Sequence, residues 1–353
     1  MRIGIITFHR ALNCGAILQA YALSMYLSEI NHKVEIIDYC PKWSDEDQVL
    51  IRELFFDFKL RKVLLFPFRK LFRKKCNDFL NNYCILSACV KTLEDVKKLN
   101  QYDVYITGSD QVWNIDITGG FDEVYFLDFE TTAKKVSYAA SCGKDDIDKK
   151  LVNLIAQSVK TFDAVSVREH VLEQALKSNG ILNICSVWDP VFLLNANQYS
   201  KLQRGNGYKN YLLLYTKGRA EGIRKIAKQV ADKYSLAIVD TSKIKKQWPA
   251  DYVKRVYGPS EFLGLFAHAN FIITNSFHGT AFSIIFRKSF YSLENGNKTS
   301  RISSLLSDIG LDSRLVHGIE GIDEITQVDY LEYESKIEEH IYKSKMFLKS
   351  ILK

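Results

Sequence analysis

Residues 2–39, RIGIITFHRALNCGAILQAYALSMYLSEINHKVEIIDY, decide the fold class. Residues 2–7 form a largely apolar run suited to a core strand, and a loop follows over residues 8–15. Residues 16–29 then carry Ile17, Ala20, Tyr21, Leu23 and Leu27 at spacings near three and four, the period of a helix with a buried face. KVEIIDY at 33–39 reads as the next strand. Strand, loop, helix and strand in one short stretch make a βαβ unit. The two strands of such a unit run parallel, because the helical crossover returns the chain to the edge it started from.

Further short apolar strands are expected at 102–107, 135–139, 164–167 and 184–188. Each ends in small or polar residues: Gly108-Ser109-Asp110, Ser141-Cys142-Gly143, Arg168-Glu169 and Asp189-Pro190. In open parallel sheets ligands gather outside the carboxyl ends of strands, so these groups are where chemistry is expected. The polar, glycine-containing stretch 195–210 interrupts the alternation and marks a domain boundary. A second series follows: strand 211–215, helix 220–234, strand 236–240, helix 260–268, strand 271–274 and helix 278–286. At 353 residues the chain exceeds what one core usually serves. The expected architecture is α/β, with two Rossmann-like domains, 1–195 and 210–330, facing a cleft, and a charged helical segment over 330–353.

Composition is that of an ordinary globular protein, 47% hydrophobic and 25% charged. The seven cysteines, at 14, 40, 76, 84, 89, 142 and 185, show no CxxC spacing and read as reduced, structural thiols, with Cys14 near a helix start the one to test for reactivity. The balance of 48 basic to 41 acidic residues suits acidic ligands, whereas a general nucleic-acid binder would be more basic. The N-terminus lacks the long apolar stretch of a signal peptide, and no apolar run suggests a spanning helix, so the expectation is a cytoplasmic protein. His9, His32, His170, His268, His317 and His340 form no HExxH or other metal spacing, and there is no GxSxG nucleophile elbow; no metal centre is expected.

The sharpest local feature is Asn275-Ser276-Phe277-His278-Gly279-Thr280, set between the apolar strand FIIT and the apolar helix AFSIIF. A strand-to-helix junction offers free backbone N–H groups and the positive end of the helix dipole to an anion. Gly279 would let a ligand approach the backbone, and His278 can donate to a phosphate or carboxylate or exchange a proton near neutral pH. The plain alternative is that Asn275 and Ser276 only cap the helix and His278 is structural. Lys298 and Arg301 precede another helical pattern and supply further cations, or simply a solvated helix start. In YDVYITGSDQVWN (102–114), Trp113 could stack on a sugar while Asp110 or Asn114 bonds hydroxyls; otherwise Asp110 caps a helix and Trp113 is core. Arg168 stands at a strand end and could bind an anion, the alternative being a surface pair with Glu169. Asn13-Cys14-Gly15 resembles a phosphate loop only loosely.

Residues 59–75, KLRKVLLFPFRKLFRKK, interleave eight basic residues with Leu, Val and Phe. That mixture suits an anionic membrane surface, and docking at the inner face of the membrane is the localisation it would add. A basic helix covering the domain is the alternative, with Pro67 interrupting any single helix.

Taken together, FHRALNCGAILQAYAL, YDVYITGSDQVWN, KVSYAASCG, AVSVRE, VWDPVFLL, EFLGLFAHANFIITNSFHGTAFSIIF and SRISSLL resemble the polysaccharide pyruvyl transferase family over most of the chain. The resemblance implies the B-type glycosyltransferase fold. It also implies transfer of a pyruvyl group from phosphoenolpyruvate, the donor substrate, to sugar hydroxyls of a cell-surface polysaccharide precursor such as a capsule or exopolysaccharide. A ketal forms, phosphate leaves and no cofactor is needed. Carried onto this sequence, His278 matches the family histidine and Arg168, Lys298 or Arg301 its basic donor-binding residues, with Ser276 and Gly279 beside them. Many members have Arg-Leu-His where this chain has Ser276-Phe277-His278, so either Lys298 or Arg301 supplies the missing charge or the donor binds differently. Asp110 is expected to orient or deprotonate the sugar hydroxyl, and Asn13, Ser109, Trp113 and Asn114 to hold the acceptor. Whether that acceptor is free, nucleotide-linked or lipid-linked stays open. Competing readings are a nucleotide-sugar glycosyltransferase of the same fold, with Glu294 as the candidate ribose carboxylate, and a non-catalytic sugar- or anion-binding module.

Overall fold

The computed structural model describes residues 1–41, 60–99, 101–216, 221–241, 250–293, 300–317 and 324–352, with backbone alone at 60–65, 221 and 300. Twelve strands are named in chain order. The first six are β1 (Arg2–Ile6), β2 (Lys33–Ile36), β3 (Val104–Thr107), β4 (Lys134–Ala140), β5 (Ala164–Val167) and β6 (Ile184–Ser186). The second six are β7 (Tyr211–Tyr215), β8 (Ala237–Asp240), β9 (Tyr252–Val253), β10 (Phe271–Thr274), β11 (Ser289–Leu293) and β12 (Leu315–Val316).

The first six form one sheet in the order β2-β1-β3-β4-β5-β6, and the second six another in the order β12-β11-β10-β7-β8-β9. Every pairing is parallel. Strands such as VYIT, YLLLY and FIIT are buried at every position, the pattern of parallel strands covered by helices on both faces. The second sheet has the classical Rossmann order, its chain winding outward from β7 first through β8 and β9, then from β10 on the other side. The first follows the same plan: isolated bridges from Ile36 to Leu86 and from Tyr39 to Val90 lay an extra extended segment beyond β2. Both domains therefore reverse direction at a central pair, β1/β3 in the first and β7/β10 in the second.

The chain divides into two compact units, residues 1–193 with 343–353, and residues 194–342. The expected boundary near 195–210 is a short helix, Ala196–Ser200, closed by an Asn195/Gln198 capping box, which already belongs to the second unit. The terminal segment is a one-turn 3-10 helix, Tyr330–Glu332, followed by the helix Glu334–Ile351. Its last residues pack with the first unit: Ser344 Oγ accepts from Trp188 N at 3.0 Å, Phe347 lies against Tyr138, and Leu348 is fully buried. The segment 330–353 is therefore not a separate body.

One expectation is corrected outright. The helix Leu60–Tyr83 runs through Pro67 rather than breaking there. Pro67 is exposed, so water can take up the carbonyl left without its usual N–H partner, and only one helical bond is lost. The far end of this helix is anchored by Phe72, Cys76, Phe79 and Leu80, all buried, with Phe79 edge-on to Tyr21 of the helix Cys14–Glu29.

Deleting residues 343–353 would strip Trp188 N of its acceptor and uncover Tyr138. The truncated chain is expected to melt at least about 5 °C lower by circular dichroism. An unchanged melting temperature would mean that the terminal turns add nothing to the first unit.

Candidate functional site

In the first domain the switch point between β1 and β3 is tied together by Thr7. Its hydroxyl donates to Ser109 O at 2.9 Å and accepts from Gln19 Nε2 at 2.8 Å, joining the end of β1, the Gly108–Asp110 turn and the helix Cys14–Glu29. Just beyond lies a cluster that the motif reading missed. Arg10 grips Asp38 with Nε at 2.7 Å and Nη2 at 2.5 Å, and the buried His9 sets Nε2 2.9 Å from Asp38 Oδ1 and Nδ1 3.1 Å from Thr7 O. Burial alone would push the Asp38 carboxyl up, but hydrogen bonds from His9 and Arg10 outweigh it and hold the group well below the usual carboxylate range. The signal was an acid at the end of an apolar strand, in KVEIIDY.

Across the same edge stands a second buried charge cluster. Arg168 follows β5 with its side chain only 2% exposed; Nη1 donates to Asp189 Oδ2 at 2.8 Å, Nε lies 3.5 Å from Glu169 and Nη2 3.7 Å from Asp110. The open cation or surface pair expected at this position is instead an interior guanidinium ringed by three carboxyl groups. Burial acts to lower its pKa, but Glu169, Asp189 and Asp110 together raise it, so the charge is retained. An anion reaching Arg168 would share it with these carboxylates.

The expected acceptor contacts mostly face inward. Ser109 is buried and donates to Asp189 Oδ2 at 2.9 Å. Asn114 caps the short helix Ile115–Thr118, accepting from Asp116 N and donating to Gln111 Oε1. Asn13 caps the helix Cys14–Glu29 by accepting from Gly15 N at 3.1 Å. Trp113 is the clear correction: it is 0% exposed and stacks on Phe126 at 5.9 Å and 10°, so no ring face is left for a sugar. Its large apolar area is worth more in the core than at a strand end. Asp110 remains at the tip of the turn, in a left-handed conformation with φ 65° and its side chain 10% exposed.

In the second domain, NSFHG leaves β10 at the switch point and enters the helix Phe277–Ile285. Ser276 is the N-cap residue, yet its side chain makes no capping bond; its amide donates to Thr274 Oγ1 and its carbonyl accepts from Thr280 N. His278 lies in the first turn, buried, with its ring edge-on to Phe277 at 5.3 Å. Packing by itself already requires glycine at 279. A Cβ there would overlap Thr274 Oγ1 and come within 3.0 Å of Tyr215. Arg301 is in the first turn of the helix Ser300–Ile309. Lys298 and Glu294 lie outside the described residues.

Among the described residues, the one grouping with metal-ligand spacing is Asp38, Cys40 and Cys89. Both Asp38 oxygens are already bonded to Arg10. Burial pushes the Cys40 thiol up to about 12, so a metal there would have to displace its proton. Cys14, flagged for reactivity, is buried in the first turn of its helix.

Two parallel Rossmann-like domains, each with polar loops at its switch point, define the B-type glycosyltransferase fold class. Solved structures agree. A UDP-N-acetylglucosamine 2-epimerase superposes with a TM-score of 0.53 at 14% identity, covering 99% of this chain and 95% of that one. A Listeria monocytogenes protein of the same description gives 0.52 at 12%, covering 97% and 90%. At such identities the likeness is one of fold alone. No curated protein matches the sequence. The family model for polysaccharide pyruvyl transferase matches residues 13–297, and the chain belongs to that family.

Two outcomes follow from this geometry. Asp38 has a folded-state pKa below the unfolded carboxyl value of about 3.9, so its stabilisation is complete above that pH and fades as pH falls through the lower folded value. Asp38→Asn should therefore melt below the native chain at pH 7, with a gap that closes as pH drops from about 4 towards 2. Gly279→Ala should cost about 1–3 kcal/mol in urea unfolding through overpacking against Thr274 and Tyr215; a neutral effect would mean that packing does not require glycine there.

Proposed function

We propose that the chain transfers the pyruvyl group of phosphoenolpyruvate to two hydroxyls of a sugar in a cell-surface polysaccharide precursor, forming a cyclic ketal and releasing phosphate. The observation that carries this reading is the family match over 13–297; His278, the candidate acid, lies in the first turn of the helix that leaves β10 at the second domain's switch point. A donor bearing both phosphate and carboxylate calls for several donors of positive potential. The helix N-terminus at Ser276 and the cations Arg301 and Lys298 are the candidates.

The chemistry needs an acid and a base. Protonation of the methylene carbon makes the adjacent carbon electrophilic, and a sugar hydroxyl attacks it while losing its proton. The bond to phosphate then breaks, phosphate leaving with the electron pair, and the second hydroxyl closes the ketal on the same carbon. His278 is the acid, giving its proton to the methylene carbon or to the departing phosphate. Asp110, at the tip of its turn, is the group that orients or deprotonates the hydroxyl. Arg168 holds Asp189 and lies 3.7 Å from Asp110, so it offsets part of the negative charge beside the group that takes the hydroxyl proton.

His278→Ala and Arg168→Ala are each expected to lower turnover at least ~100-fold, read as phosphate release in the presence of a true acceptor. Circular dichroism would confirm that both variants fold, and native-like rates in both would overturn the assignment. Labelled phosphoenolpyruvate offered with free, nucleotide-linked and lipid-linked saccharides containing galactose, mannose or N-acetylhexosamine identifies the acceptor. Thermal protection by a nucleotide sugar, with none from phosphoenolpyruvate, would instead favour glycosyl transfer.

A further inference from the structure

The helix Leu60–Tyr83 has two unlike faces over the stretch whose side chains are described, and only one of them has a role in the fold. Phe72, Cys76, Phe79 and Leu80 are buried and hold the helix to the first domain. Towards the helix start Phe66, Phe68 and Leu71 are 37%, 43% and 47% exposed, with Phe66 and Phe68, two residues apart, at opposite margins of the solvent-facing arc and Leu71 between them. Singly, exposed apolar residues are ordinary; three within a turn and a half, alternating with exposed lysines, make one end of the helix amphipathic towards solvent.

The charges beside them say what kind of partner. Lys70 and Lys74 are exposed on the same side, Arg69, Arg73 and Lys75 are half-buried at its flanks, and residues 60–77 contain no acid at all. Asp78, one turn past Lys74, is the first. Among the described residues no ion pair neutralises Lys70 or Lys74. A protein partner would have to place acids among apolar groups, because Lys70 and Lys74 lie between the margins marked by Phe66 and Phe68. A bilayer of anionic lipid meets both demands at once, taking the aromatic and aliphatic groups among its acyl chains while its headgroups face the lysines. Pro67 lies between Phe66 and Phe68 and adds a non-polar ring to the same exposed stretch.

We propose that this face, centred on Phe66, Phe68, Leu71, Lys70 and Lys74, docks the protein on an anionic lipid bilayer. Contact through one helix of this kind is reversible, the apolar side chains and the charges each supplying part of the binding. The surface is independent of the pyruvyl-transfer reading, since none of its residues belongs to the candidate site. If that reading also holds, docking would bring the enzyme to an acceptor carried on lipid.

The test is co-sedimentation of the full chain with vesicles of neutral phosphatidylcholine, and with the same vesicles containing a quarter phosphatidylserine. Binding is expected to the anionic vesicles and to weaken steeply with salt. One basic residue near such a surface strengthens binding about fivefold, so Lys70→Glu with Lys74→Glu should weaken it by at least about 30-fold. Reversal of two exposed lysines on another helix, Lys225→Glu with Lys228→Glu, should leave binding within about twofold if the site is local. Phe66→Ser, Phe68→Ser and Leu71→Ser together should abolish it even though every charge remains. No preference for anionic vesicles would overturn the proposal, as would equal losses from both lysine pairs or undiminished binding in the serine variant. Equal competition by soluble nucleic acid in the serine variant and the native chain would reassign the patch to general polyanion binding. Because every variant is exposed on the surface, its melting temperature should match the native chain's, and phosphate release with a water-soluble acceptor should be unchanged.

Discussion

Within each sheet every strand pair is parallel, and this one constraint places nearly everything else. Parallel strands joined by right-handed crossovers all finish at the same edge, so residues far apart in sequence meet there without any contact between their own segments. Thr7, Ser109, Asp110, Arg168, Glu169 and Asp189 come from four strands' ends and form one hydrogen-bonded and ionic patch. The same rule sets NSFHG at the reversal between β7 and β10.

The electrostatics of the first domain then follow from how deeply that edge is buried. A guanidinium removed from water is costly unless it is surrounded by acceptors, and Arg168 has Asp189, Glu169 and Asp110 around it. Arg10, whose side chain is a third exposed, has one carboxylate, Asp38, bonded at both oxygens. Arg10 and Arg168 are therefore both engaged by carboxylates before any ligand arrives. The hydrogen bonds and ion pairs there fix one another's geometry.

The strands and helices were legible because burial imposes period. Residues 164–167, 211–215 and 271–274 are strands with the bounds the apolar runs suggested, and most other elements differ only by a residue or two at their ends. Pro67 misled because its missing N–H breaks only one bond, which an exposed helix tolerates. Trp113 misled because its neighbours in sequence are polar strand-end residues, while its neighbours in space are Phe126 and Phe162. Gly279 has a packing reason that its neighbours in sequence do not show. The sequence says that no side chain is present; only packing says that Thr274 and Tyr215 fill the space.

What the sequence by itself determined is the alternation of apolar runs and amphipathic helices, hence two parallel α/β domains, and the blocks that place the chain in its family. Both are properties of residues near one another along the chain. What the tertiary structure decided is which polar residues share an environment. It joined His9 and Arg10 to Asp38, drew Arg168 inward among three carboxylates and turned Trp113 into core. It also divided the helix Leu60–Tyr83 between a face the fold uses and a face it leaves to solvent. These outcomes depend on the electrostatic and dispersion forces between residues tens or hundreds of positions apart, which no local period encodes.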